Sequence, residues 1–254
     1  MNLQGKTAIV TGGERGIGLG IVRKLLASGM NVCIAGTDTE SAEQALREVI
    51  SAGSLIFVET DVREEAAVRK AVEKTVDTFG TLDALIANAG IANPGRTPVE
   101  ELSLEEWNTY LATNLTGPFL CAKHALPALK AAGGAIVIIA STRAFQSEPD
   151  TPAYAATKGG LVALTHALAV STGPEVRVNV ISPGFIYPHD PAKLRPIEHS
   201  QHPVGRAGQP GDIASLTAFL ISDEAGFITG ENIIVDGGMS KCMLYPSEIE
   251  GPDA

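Results

Sequence analysis

The chain has 254 residues, 44% of them hydrophobic, with 27 Gly and 15 Pro, a length that suits one large α/β domain or two small ones and allows a sizeable core. Lys and Arg number 19 against 29 Asp and Glu, a formal net charge of −10, which argues against nucleic acid or an anionic membrane as the partner. Cys33, Cys121 and Cys242 form an odd, widely spaced set without a C-x-x-C, so neither a disulfide framework nor a zinc site is expected and no metal is called for. The N-terminal "MNLQGKTAIVTGG" lacks the apolar core of a signal peptide, and no run approaches the roughly 18 apolar residues of a membrane span. A cytoplasmic location is expected.

Short apolar, β-branched runs alternate with longer helical patterns. The predicted strands are "TAIV", "NVCIAG", "LIFVE", "ALIAN", "AIVIIA", "VRVNVIS" and "NIIVD". Helical spacing falls between the first five, as at Ile17 to Ser28 and Glu64 to Thr78, and again over Ala153 to Ser171 and Gly211 to Ser222. Strands that are apolar throughout and separated by helices imply a parallel sheet covered on both faces. The expectation is a single-domain, Rossmann-type, doubly wound α/β fold of about seven strands, with no linker dividing 1–254 into two cores.

Six prolines from Pro183 to Pro210 interrupt this rhythm. Repeated proline disfavours regular helix and strand, so a lid or binding loop is expected there. The tail after Gly238, "MSKCMLYPSEIEGPDA", reads as short extended or disordered chain.

Two motifs carry chemistry. "TGGERGIG", Thr11 to Gly18, follows the first strand and opens the first helix. Gly12, Gly16 and Gly18 allow a tight turn and close approach to a pyrophosphate, and the helix N-terminus favours the anion. In "TPAYAATKGG", Tyr154 and Lys158 stand one helical turn apart on a shared face among small neighbours. That pair is either ordinary helix surface or a unit acting on one proton.

From Gln4 to Met239 the chain resembles the short-chain dehydrogenase/reductase family. "TGGERGIG" is similar to its cofactor motif, and "ANAG" at Ala87 to Gly90 to its element after the fourth strand. Asn114 in "TNLTGPF", Ser141 in "IIASTRAF", and Tyr154 with Lys158 match its catalytic tetrad in order, with Ser141 thirteen residues before Tyr154. "SPGF" and "ITGENIIVDGG" match its later blocks.

The resemblance implies an NAD(P)-dependent oxidoreductase interconverting a secondary alcohol and a ketone, with Tyr154 as general acid/base. A phenol ordinarily titrates near pH 10. A nearby ammonium and the positive oxidised nicotinamide favour phenolate, so a lowered value near working pH is expected for Tyr154. Lys158 is also expected on the nicotinamide ribose, Ser141 on the substrate oxygen, and Asn114 on a water leading from Lys158 to solvent. Taken alone, Ser141 or Asn114 would read as a helix cap or a satisfied turn. The cofactor is expected to lie mainly on 1–135, along Gly12, Glu14, Arg15, Gly16, Ile17, Gly18, Gly36, Thr37, Asp61, Val62, Asn88, Ala89 and Gly90. Tyr154, Lys158, Pro183, Gly184 and Ile186 complete it. Catalytic and substrate functions fall mainly on 136–240, and the tail is 241–254. Asp61 reads alternatively as an N-cap of the helix that follows it.

Two departures bear on specificity. Members preferring the unphosphorylated cofactor usually carry an Asp at the end of the second strand; here Gly36 and Thr37 stand there. Arg15 can approach a 2′-phosphate, Asp38 would oppose one, and Arg15 reads alternatively as a solvated loop charge. NADP is favoured over NAD on these residues. Second, a Thr that contacts the nicotinamide amide is replaced by Pro188, leaving the backbone of Ile186.

For the substrate, Ser141, Arg143, Gln146 and Tyr154 are expected at the pocket, with Tyr187 and His189 from the proline-rich loop, where Arg195, His199 and His202 also lie. Arg143 is either solvated, paired with a carboxylate such as Glu148, or aimed at an anionic ligand. A small polar substrate is favoured over a 3-oxoacyl group on acyl carrier protein, because that carrier is acidic and so is this chain. A non-catalytic dinucleotide sensor is the rival of another class. The resemblance further implies a homodimer or homotetramer.

Overall fold

In this computed structural model, residues 2–49, 53–93 and 95–243 are described. The chain opens with β1 (Thr7–Thr11), α1 (Gly16–Ala27), β2 (Asn31–Gly36), α2 (Thr39–Glu48), β3 (Leu55–Glu59), α3 (Glu65–Phe79) and β4 (Ala84–Ala87). There follow α4 (Leu104–Leu111), a π-helical turn (Ala112–Thr116), α5 (Gly117–Ala132), β5 (Ala135–Ile139), α6 (Pro152–Thr172) and β6 (Arg177–Pro183). α7 (Pro196–Ser200), α8 (Pro210–Leu220) and β7 (Asn232–Val235) complete it.

The seven strands form one sheet in the order β3-β2-β1-β4-β5-β6-β7, every pairing parallel. Burial explains why these runs lack the alternation of a half-exposed strand. Ile9, Cys33, Leu85, Ile136 and Val178 pack with α3, α5 and α6 on one face. Their neighbours Ala8, Val10, Val32, Ile34, Ile86 and Val137 pack with α1 and α8 on the other. Both pleat faces are therefore apolar. The doubly wound expectation holds, and all seven predicted strands are present within a residue or two of their expected bounds.

The strand order reverses direction between β1 and β4, and in such sheets ligands gather at the carboxyl ends beside that switch. The glycine loop leaves β1 there, and the "NAG" loop leaves β4.

The proline-rich stretch is more regular than expected. Prolines open a 3-10 turn at Pro191–Lys193 and the short α7, positions where a missing N–H costs nothing. The stretch is anchored by a bridge between Ile186 and Gly208. Met239–Lys241 form a further 3-10 turn, stopped on Asp236, which accepts from Gly238 N at 2.8 Å and Ser240 N at 2.7 Å. The extended-tail expectation is corrected for those residues; 244–254 lie outside the described residues.

Candidate active site

The glycine loop is shaped by contacts that no side chain could share. Gly12 has φ +60° and Gly16 φ +56°, left-handed values that favour glycine. A Cβ on Gly18 would lie 2.0 Å from the Gly12 carbonyl oxygen. Asn88 holds the loop from β4, its amide donating to the carbonyls of Thr11 (2.9 Å) and Gly12 (3.0 Å). Thr11, which sequence reasoning passed over, closes the arrangement. Its Oγ1 accepts from Asn88 N and Ala89 N, each at 2.9 Å. The available signal was a hydroxyl residue ending β1 directly before the glycines. α1 starts without an acidic residue in its first turn, so its N-terminus is open to an anion.

Of the adenosine-side residues, Glu14 is buried and Arg15 exposed, its guanidinium 3.7 Å from Asp38. Asp38 also caps α2, accepting from Ser41 N at 3.0 Å. Thr37 is exposed. Asp61 does not cap α3, whose N-cap is Glu64; it accepts from Arg63 N at 2.9 Å and from the Arg63 guanidinium at 2.6 Å. These hydrogen bonds hold the Asp61 carboxyl below its ordinary range. The Val62 side chain is buried, and a Cβ on Gly117 would come within 2.7 Å of it.

α6 presents the central pair. Tyr154 and Lys158 are both buried, and the Lys158 ammonium lies 5.5 Å from the Tyr154 ring centre. Lys158 Nζ donates to the carbonyl of Ile139 at the end of β5 at 3.1 Å. Burial pulls Lys158 down to about 8. The expected lowering of Tyr154 is not met by the chain's own groups. Burial raises it, while a hydrogen bond with Ser141 and the charge of Arg143 oppose the rise.

Ser141 follows β5, and its Oγ accepts from Arg143 N at 3.2 Å, starting the 3-10 turn Thr142–Ala144. Asn114 sits in the π-helical turn, an irregularity frequent at functional sites. Its Oδ1 accepts from Ile91 N at 2.7 Å, and its Nδ2 donates to the Ile91 carbonyl at 3.2 Å and to Thr157 Oγ1 at 3.4 Å. Asn114 thus ties the loop after β4 to α6. Tyr110, Trp107 and Ile91 pack around Tyr154.

The expected substrate residues are dispersed. Arg143 is half-buried and paired with Glu148, which also faces Arg96 at 3.3 Å. Gln146 and His189 are exposed. Tyr187 meets His189 edge-on at 5.4 Å and stacks on Phe185 at 6.3 Å. Arg195 pairs with Glu198 at 3.2 Å, and His199 Nδ1 accepts from Ala207 N at 3.3 Å. Pro183 is buried, and Gly184 is held by its N–H to the Val235 carbonyl at 3.0 Å. The bridge to Gly208 uses Phe185 O (3.1 Å) and Tyr187 N (2.8 Å) rather than the amide of Ile186.

The fold and the glycine loop define a Rossmann-type nucleotide-binding protein, and the comparisons carry this further. A family model described as Enoyl-(Acyl carrier protein) reductase matches residues 12–240. An oxidoreductase of Thermotoga maritima described as uncharacterized is 49% identical, with 96% of this chain and 99% of that protein aligned. Cis-4-hydroxycyclohexanecarboxylate dehydrogenase of Sinomonas cyclohexanicum is 38% identical over 92% of this chain and 96% of its own. A solved structure of an apo SCOR enzyme from Clostridium thermocellum superposes with a TM-score of 0.85 at 38% identity, covering 94% of this chain and 95% of that one. The chain belongs to the short-chain dehydrogenase/reductase family of oxidoreductases.

The residues fit a dinucleotide. Side-chain-free positions at Gly12 and Gly18 form a cradle that a Cβ would fill, and Glu14 Oε2 is a buried acceptor without a donor among the described residues. Among those residues no helix is long and apolar enough to cross a membrane.

Proposed function

We propose that the protein oxidises a secondary alcohol, or reduces the matching ketone, with NAD(P). Residues 1–135 mainly bind the cofactor, and 136–240 mainly carry catalysis and substrate. The observation that carries this reading is the burial of Tyr154 and Lys158 on one helix face, beside Ser141, at the carboxyl end of the sheet. The bound dinucleotide supplies hydride acceptance or donation. Tyr154 holds the proton at its phenol oxygen and exchanges it with the substrate oxygen, to which Ser141 also hydrogen-bonds. A phenol held high by burial is a competent acid for carbonyl reduction; the oxidative direction needs added positive charge near Tyr154. Lys158, at about 8, can exchange a proton near neutral pH. Asn114 fixes the loop that borders them, in support of a proton route through α6.

Cofactor contacts are proposed at Gly12, Gly16, Gly18, Asn88, Ala89, Gly90, Gly184 and the amide of Ile186. For the substrate we propose a small polar alcohol. The Sinomonas relative's name, a hydroxyl on a ring that bears a carboxylate, supports this, as does the polar character of Arg143, Tyr187 and His189. We include a homodimer or homotetramer in this reading, on the resemblance. Nicotinamide fluorescence should change with a panel of hydroxycyclohexanecarboxylates, simple ring ketones and a 3-oxoacyl thioester, most strongly with the first class. Preference for the thioester would redirect the substrate assignment, and no turnover of any alcohol or ketone would refute the enzyme reading.

A further inference from the structure

We infer that Glu14, reaching from the glycine loop, replaces the acidic residue missing from the end of β2 and selects NAD over NADP. The inference rests on the dinucleotide reading above and concerns how the ribose is recognised. Glu14 is 5% exposed although its neighbour Arg15 has a side chain that is 77% exposed. Its carboxylate is folded against the last residue of β2. A Cβ built on Gly36 would lie 2.2 Å from Glu14 Oε2 and 2.5 Å from both Oε1 and Cδ. Those distances are shorter than any real Cβ contact. A side chain at position 36, aspartate included, and the Glu14 carboxylate thus exclude each other from one space. Gly36 is the condition for seating Glu14, and the sheet edge still carries its carboxylate, delivered from a different element.

The carboxylate is also chemically incomplete. Glu14 Oε2 is buried and meets no hydrogen-bond donor among the described residues. Burying a carboxylate without donors is costly, so the position fits a ligand bringing O–H groups. The two free hydroxyls of an unphosphorylated ribose are such donors. A 2′-phosphate would instead set more negative charge against a buried carboxylate, a juxtaposition that penalises the wrong partner. Nearby cations do not reverse this. Arg15, the residue that could meet a phosphate, is 3.7 Å from Asp38 Oδ2. Arg63, in the loop after β3, is held by Asp61 at 2.6 Å. Glu14, Asp38 and Asp61 thus outnumber Arg15 and Arg63 in the loops that follow β1, β2 and β3, leaving one net negative charge. This reverses the preference that Gly36 and Arg15 suggest when read from sequence alone.

The test is direct binding to the whole protein, with no substrate present. Dissociation constants for NADH and NADPH come from quenching of Trp107, the single tryptophan, which packs near Tyr154, and melting shifts with NAD+ and NADP+ provide a second readout. Wild type should bind NADH at least about tenfold more tightly than NADPH. Glu14→Gln, which keeps the shape, should raise NADPH affinity about tenfold and lower NADH affinity several-fold. Glu14→Ala should remove the discrimination if the glutamine variant folds poorly. Gly36→Asp alone should displace the Glu14 carboxylate, the movable end of its side chain, with little change in melting temperature, and Glu14→Ser with Gly36→Asp should keep the NADH preference. Equal or tighter NADPH binding by wild type, or unchanged discrimination in both Glu14 variants, overturns the inference while leaving the dinucleotide reading intact. Binding of neither nucleotide overturns both.

Discussion

The two sides of the cleft at the carboxyl end of the sheet are built differently. On the side of β1 and β4, the loops are held by backbone and by short, mutually satisfied groups: Thr11 with Asn88 and Ala89, Asn88 with Gly12, Gly18 against Gly12. In the turn after β5 and in the 183–210 stretch, the expected contacts are exposed or engaged elsewhere: Gln146 and His189 face solvent, Arg195 pairs with Glu198, and Arg143 pairs with Glu148. A rigid side can fix a cofactor common to many reactions, while a polar, adjustable rim leaves room for substrate choice. Tyr154 and Lys158, on α6, are buried.

The sharpest way to break this comparison is at Tyr154. Tyr154→Phe deletes one oxygen and keeps the packing against Tyr110 and Trp107. Turnover should fall at least about 100-fold, the low end for loss of a general acid/base, while nucleotide affinity stays within a factor of two or so. Steady-state kinetics with a parallel binding titration checks this, and near-normal turnover would remove Tyr154 from the chemistry.

Lys158 separates function from stability. Its value falls from 10.5 to about 8 on burial. The unfolded chain therefore binds more protons than the folded one between about pH 8 and 10.5, and stability from this group rises with pH through that window. Below it the full burial penalty applies, on the order of 3 kcal/mol. Lys158→Met should stabilise the protein by about 1–3 kcal/mol at pH 7, after losing the contact with Ile139, and the gain should shrink towards pH 10. Thermal unfolding at both pH values measures it, and a variant less stable at pH 7 would show that the Ile139 hydrogen bond outweighs desolvation.

The smallest expected effect lies on the adjustable rim. Arg143 is already answered by Glu148, so Arg143→Ala should raise KM for a carboxylate-bearing ring alcohol only several-fold, with nucleotide affinity unchanged. An equal change for an uncharged ring alcohol would mean that Arg143 shapes the loop rather than reading the substrate's charge.

All of the sheet was legible from sequence because burial on both faces leaves each strand a continuous apolar run. Helix positions followed from periodicity, and the glycine loop from a strand-turn-helix context. Tyr154 and Lys158 could be paired because one helical turn separates them, which is local geometry. What the sequence could not reach was contact between elements distant along the chain. Asn114 is matched by its motif, but its contacts with Ile91 and Thr157 exist only once the π-helical turn is packed. Lys158 likewise needed β5 and α6 brought together before Ile139 could claim its ammonium. Glu14 and Gly36 show the reason most plainly. Gly36 alone departs from the pattern for an unphosphorylated ribose and Glu14 alone is one loop contact among several, and only the parallel pairing of β1 with β2 puts the carboxylate of one where the other has no side chain. Propensity and pattern act along the chain and can be read there; exclusion of two groups from one volume exists only after the chain has folded.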